Sequence, residues 1–186
     1  MMTQAEILQK IEQCGVAAGN GPFGDGWNIM QNPQGAADFL FAMQRLGVKR
    51  VLELGTGAGG FARFMQIVME WDVTSIDVAY PVPPVPYRFL QISSEAAVSL
   101  FHDDEFDLVF IDADGYQVRE NHAWFAHTAR IVAIHDIYSR DDTAPQPHFW
   151  REIAYQDDAL KPGYYENPEW PGIGWYIREI TQGKSE

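Results

Sequence analysis

Residues 51–60 read VLELGTGAGG, an apolar run that breaks abruptly into glycine. Such a run is the mark of a buried strand, and the glycines mark a tight turn out of it. FARFMQIVMEW (61–71) follows with helical spacing. A glycine turn between strand and helix lets the backbone approach a ligand closely and aims the helix amides at it. The glycines parse in two ways. Gly55, Gly57 and Gly60 give G-x-G-x-x-G, whereas Glu53, Gly55, Gly57 and Gly59 give E-x-G-x-G-x-G.

Working outward, the same alternation continues in both directions. Upstream, Thr3 and Glu6 are spaced as a capping box, and Ile7, Leu8, Ile11 and Cys14 then share one helical face. Asn32-Pro33 supplies an N-cap and a first-turn proline for a second helix, which Gly47 ends after Leu46. Downstream, VTSID (73–77), RFLQI (88–92), FDLVFI (106–111), RIVAI (130–134) and GWYIREI (174–180) read as strands. Helices are expected over 93–100, from Asp114 to about Thr128, and over 147–155. The proline-rich stretch 80–87 excludes a helix there. Strands alternating with helices imply a parallel sheet covered on both faces. Ligands of such sheets sit beyond the carboxyl ends of the strands. The informative residues are therefore Gly55 to Gly59, Asp77, Ile92 to Ser94, Asp112 to Tyr116, and His135 to Ile137.

Composition bounds the function. A chain of 186 residues, 46% apolar, suits one globular domain with a sizeable core. A formal charge of −13 and the lack of a basic cluster argue against nucleic acid as a partner. No apolar stretch nears the ~20 residues that span a bilayer, and the N-terminus lacks the pattern of a signal peptide. The single cysteine, Cys14, fits a reducing, cytoplasmic setting and reads as a small helix-face residue.

Glu53 separates the two glycine parses. The first is the spacing of a dinucleotide turn; the second is that seen where S-adenosylmethionine (SAM) binds. A carboxylate two residues before the first glycine repels a diphosphate, while SAM brings an ammonium and a sulfonium. Asp77 does not discriminate, because a strand-end carboxylate can bond a ribose diol in either case.

With VLELGTGAGG, SID (75–77) and FDLVFIDADGY (106–116) in that order, the chain resembles the class I SAM-dependent methyltransferases. FIDADGY (110–116) is similar to a segment of the metal-dependent O-methyltransferases acting on catechols and caffeoyl-CoA. IVAIHDIY (131–138), HFWREI (148–153) and GIG (172–174) look more like the cephalosporin-hydroxylase and macrolide-sugar methyltransferase group. The resemblance covers roughly residues 30–180. It implies a Rossmann-like α/β fold with a mostly parallel seven-stranded sheet, helices on both faces and an antiparallel C-terminal strand. One domain, 1–186, would comprise a core over 34–180 and an N-terminal helix and glycine-rich loop, 1–33, able to cover the site. Gly55, Thr56, Gly57 and Gly59 would lie against the methionine part of SAM, with Glu53 on the ammonium side. Asp77 and Val78 would meet the ribose, and Ser93 and Ser94 the adenine. Asp112 and Asp136 match a fourth-strand aspartate that also faces SAM and a fifth-strand metal aspartate.

Two carboxylates from adjacent strand ends can share a magnesium ion that chelates substrate hydroxyls. Two departures stand out: Ile137 where the catechol-type enzymes carry a third ligand, and Gly115 where they carry a lysine base. His135 is the candidate replacement, as third ligand or as base. Strand neighbours point to opposite faces, so His135 and Asp136 meet at one ion only if the strand has already ended. The expected activity is O-methylation of a small hydroxylated acceptor, a sugar or phenol, with magnesium as a possible cofactor and a homodimer as a possible assembly. The alternatives are a SAM-binding protein without transfer activity, a nicotinamide-dependent oxidoreductase, and a purely structural or interaction protein.

Overall fold

The computed structural model describes residues 1–14, 29, 31–79, 85–113, 122–137, 146–167, 169 and 172–178. Helix α1 (Gln4–Cys14) opens with the expected capping box: Thr3 N donates to Glu6 Oε2 at 2.7 Å, and Glu6 N to Thr3 Oγ1 at 3.3 Å. Helix α2 (Pro33–Arg45) has Asn32 as its N-cap, accepting from Gly35 N at 2.9 Å. Arg130 closes its other end by donating to Leu46 O at 2.6 Å.

Seven strands form the main sheet: β1 (Arg50–Leu54), β2 (Asp72–Asp77), β3 (Arg88–Gln91), β4 (Phe106–Ile111), β5 (Ala129–His135), β8 (Tyr164–Asn167) and β9 (Ile173–Ile177). Their spatial order is β3-β2-β1-β4-β5-β9-β8. The first five run parallel; β9 lies antiparallel between β5 and β8. A short hairpin, β6 (Tyr155–Gln156) and β7 (Ala159–Leu160), stands apart. Helices α3 (Gly60–Ile67) and α4 (Ser94–Ala97) follow β1 and β3, and α5 (Gln146–Ala154) precedes the hairpin.

Side-chain alternation divides the core between the faces of the sheet. Val51, Val73, Leu108, Phe110, Ile131 and Ala133 pack with α1, α2 and α3. Leu52, Ile76, Val109, Ile111, Val132 and Ile134 pack on the opposite side with Ala97, Phe125 and Trp150. By the same alternation Glu53, Ser75, Asp77, Asp112 and His135 belong to the α1–α3 side. The strand order reverses between β1 and β4, which places the ligand crevice at their carboxyl ends.

Two sequence expectations change. Residues 122–125 form a 3-10 turn (His122–Phe125), and β5 begins at Ala129, so the helix foreseen up to Thr128 does not continue here. The expected start of that helix at Asp114 lies outside the described residues. The seventh strand is β8, whose sequence YYEN carries no apolar alternation. Its Glu166 is held by Trp150 Nε1 at 2.9 Å and by the Tyr155 hydroxyl at 2.6 Å, which ties α5 to the sheet edge. Trp150 lies across Gly174: a methyl group there would meet the indole at 2.3 Å. Gly174→Ala is expected to lower stability by about 1–3 kcal/mol, read as a fall in thermal midpoint, because the ring has no space to retreat into.

Candidate functional site

The glycine turn is shaped by its own backbone before any ligand is considered. Gly55 has φ 92°, and a Cβ on it would lie 2.4 Å from Asp112 O and 2.5 Å from Ala113 Cα. Only glycine lets the end of β1 pass the end of β4 so closely. Gly59 (φ 82°) is the N-cap of α3, and its carbonyl accepts from Arg63 N at 3.1 Å.

Asp77, at the end of β2, reaches across to this turn. Its Oδ2 accepts from Thr56 N at 2.9 Å and Gly57 N at 3.0 Å, while Oδ1 accepts from Ala79 N at 3.0 Å. Val78 beside it is 68% exposed. Ser93 serves as the N-cap of α4, accepting from Ala96 N at 3.3 Å, and Ser94 is buried next to it.

Beneath the turn lies a buried polar chain. Glu53 pairs in register with Ser75 across β1 and β2, and the Ser75 hydroxyl donates to Glu53 Oε2. Thr56 Oγ1 stands 2.5 Å from Ser75 Oγ. Burial pushes the Glu53 carboxyl up to about 8; the Ser75 hydrogen bond opposes this, and the charges of Asp112 and Asp77 reinforce it. Burial thus favours the protonated form of Glu53.

The second cluster sits one strand further along. The register that pairs Ile111 with Ile134 continues one step, setting Asp112 beside His135. His135 Nδ1 lies 2.8 Å from Asp112 Oδ1 and 3.2 Å from Asp136 Oδ1. Strand β5 ends at His135, and Asp136 has φ 57°, a left-handed turn that brings its carboxylate back to the same side. The condition for these neighbours to converge is met. Asp112 and Asp136 side chains are about a quarter exposed, whereas that of His135 is 6% exposed.

Ligand atoms of these three residues all lie within 4.8 Å of one another. Around an ion with ~2.1 Å bonds, adjacent donors stand about 3 Å apart and opposite ones about 4.2 Å apart. The spacings of 2.8 and 3.2 Å from His135 Nδ1 match adjacent donors, so these three residues could hold a divalent ion. The same Nδ1, protonated and without an ion, hydrogen-bonds the acids. Ile137 is 1% exposed in the core of the opposite face, so it cannot supply a ligand.

Two residues join the site that the sequence reading had passed over. Gln31, 3% exposed, donates from Nε2 to Asp112 Oδ2 at 2.9 Å. Nothing in its sequence context marks it beyond its position just before the N-cap of α2. Ser75 had a legible signal: a polar residue inside an apolar strand, two positions before Asp77 and level with Glu53. Gly115, Tyr116, Trp27 and the glycine-rich loop 19–28 lie outside the described residues.

The sheet order, the glycine turn between β1 and α3 and the antiparallel β9 can now be compared with solved structures. An O-methyltransferase from Bacillus cereus in complex with SAH superimposes with TM-score 0.54 at 15% identity, covering 94% of this chain and 90% of that one. A Staphylococcus aureus protein provisionally named a caffeoyl-CoA O-methyltransferase gives 0.56 at 18% identity, covering 77% and 82%. A Pyrococcus horikoshii protein provisionally named an RNA methyltransferase gives 0.55 at 12% identity, covering 95% and 97%. This is the class I methyltransferase fold. No protein-family model matches the sequence, and no curated protein matches it significantly. At these identities the likeness carries the fold, and its neighbours' differing acceptors do not transfer with it. Among the described residues no helix is long and apolar enough to cross a membrane.

The raised Glu53 carboxyl makes a testable demand on stability. Between the ordinary value of 4.5 and about 8 the unfolded chain has lost this proton while the folded protein keeps it. Stability contributed by the neutral form thus declines as pH rises through that window and levels off above it. Glu53→Gln retains an acceptor for Ser75 and removes the titration. Its stability relative to wild type is expected to rise by about 4 kcal/mol between pH 5 and pH 9, measured by denaturant melts across that range.

Proposed function

We propose that this protein is a SAM-dependent methyltransferase that transfers to an oxygen of a small hydroxylated acceptor, a sugar or a phenol, with a divalent ion at Asp112, His135 and Asp136. The observation that carries the reading is the convergence of those three side chains beside the glycine turn, at the switch point of a class I methyltransferase sheet. SAM would lie along the turn, with Asp77 and Val78 toward the ribose and Ser93 and Ser94 toward the adenine. Glu53 would face the ammonium end.

Burial favours the neutral form of Glu53 and so weakens its repulsion of a phosphate. The Thr56 and Gly57 amides, which a pyrophosphate would need, already donate to the Asp77 carboxylate. Asp77 and Asp112 nearby favour a cationic ligand over an anionic one.

Transfer would be an in-line attack of the acceptor oxygen on the methyl carbon: the oxygen–carbon bond forms as the carbon–sulfonium bond breaks, the demethylated cofactor leaves, and the hydroxyl proton passes to water. When bound, a divalent ion supplies Lewis acidity that lowers the pKa of an acceptor hydroxyl. Asp112 and Asp136 orient that oxygen, and proximity accounts for much of the acceleration. His135 has its Nδ1 turned toward both acids, which favours ligation over proton abstraction there. Gln31 holds the second oxygen of Asp112 and so fixes the direction of the first. Residues 1–33 would cover the acceptor, a reading that the Gln31 contact with Asp112 supports. A net charge of −13 disfavours nucleic acid, and a cytoplasmic homodimer completes the reading.

A second reading, SAM binding without transfer, draws support from buried Ile137 and from Gly115, where a base would otherwise stand. Calorimetric titration with SAM and its demethylated product separates binding from its absence. Methyl transfer from labelled SAM to a panel of catechols and sugar diols then separates the two readings. Asp136→Asn is expected to cut kcat by roughly 100-fold while shifting the Kd for SAM by less than about threefold. Tight SAM binding with no transfer to any acceptor would favour the second reading; absence of SAM binding would remove both.

A further inference from the structure

The donor set at the strand ends differs from an all-oxygen magnesium site in one member. Resting on the metal reading above, we propose that His135 makes this centre select a later first-row transition dication, such as Co²⁺ or Ni²⁺, over Mg²⁺. Mg²⁺ demands oxygen ligands in near-ideal octahedral array and gives up water reluctantly. Imidazole nitrogen suits iron, nickel, copper and zinc, and affinity at such a site rises from manganese through cobalt to nickel, whereas manganese shares with magnesium a preference for oxygen. Here one of three convergent donors is nitrogen, and the fold leaves it little freedom to withdraw.

The restraint on His135 is specific. It closes β5 in register with Ile173 of β9, and its ring lies 6.2 Å from that of Phe110. With its side chain only 6% exposed, the imidazole cannot swing into solvent and leave two carboxylates for magnesium. Nδ1 is the atom that faces Asp112 and Asp136, at 2.8 and 3.2 Å. Both spacings match adjacent positions around one ion. Gln31 braces Asp112 from behind through Oδ2, leaving Oδ1 directed at Nδ1. An amide held against a ligating carboxylate is the kind of outer contact that tunes affinity by roughly 10–100-fold.

All-oxygen sites also bind cobalt more tightly than magnesium, so a bare preference is insufficient. The decisive measurements are two. The first is pulsed EPR on the full chain loaded with Mn²⁺, where directly coordinated ¹⁴N gives a coupling that oxygen ligands cannot. The second is calorimetric titration of Mg²⁺, Mn²⁺ and Co²⁺ into wild type and His135→Asp, which restores an all-oxygen set. The Co²⁺ to Mg²⁺ affinity ratio is expected to fall by about tenfold or more in the variant. Gln31→Leu should weaken all three ions together, by roughly tenfold, without changing the ratio.

A ¹⁴N coupling with a collapsed ratio supports the proposal. Mn²⁺ bound without nitrogen coupling overturns it, whether or not the aspartate variant folds. An unchanged ratio in a folded variant does the same. No binding of any of the three ions overturns both the selectivity and the metal-assisted mechanism. SAM titrated into the same preparation still reports separately on the methyltransferase reading.

Discussion

The site depends on one close approach, the passage of Gly55 against the backbone of Asp112 and Ala113. Strands β1 and β4 are neighbours in the sheet, yet their chains leave it in opposite directions. A side chain on Gly55 would fill the space where those directions part. Because none is there, Asp112 N can donate to Leu54 O at 2.8 Å and Gly55 N to Ile76 O at 2.9 Å. Three strands are thereby locked at the same level. Asp77, Glu53 and Asp112, from β2, β1 and β4, then stand as a row of acids along a single crevice.

That row is electrostatically uneven. Glu53 lies deepest and is kept neutral by burial and by its acidic neighbours. Asp77 and Asp112 lie nearer the opening and have polar partners of their own: three backbone amides for the first, Gln31 and His135 for the second. The result is one carboxyl beneath the turn whose ionisation burial opposes, and two carboxyls nearer the opening that have polar partners. A cation entering the crevice meets fixed acids first and an ionisable one behind them.

Much of this was legible in the sequence, because each strand of the core is an apolar run bounded by a turn signal. RVLEL, VTSID and FDLVFI all became strands close to their expected bounds. Asp112 and His135 could be placed at strand ends for the same reason. What could not be read depended on the third dimension. YYEN is too polar and too short to declare itself a strand; it is one because β9 offers an edge and Glu166 has partners on α5. Gln31 is an ordinary loop glutamine until the fold sets it against Asp112. The protonation of Glu53 is invisible in a string of letters, since it arises from desolvation. Desolvation weakens the charge repulsion that Glu53 would exert on a dinucleotide, and the hydrogen bonds of Thr56 and Gly57 to Asp77 weigh against one on separate grounds.

The hydrogen bonds from Thr56 and Gly57 to Asp77 have a consequence for the cost of recognition. A loop rich in glycine ordinarily surrenders a large conformational entropy when it closes on a ligand. Here an internal carboxylate already accepts from two of its amides, so folding itself helps to order the loop. Asp77 acts as a resident template, and an arriving ligand has only to fit beside it.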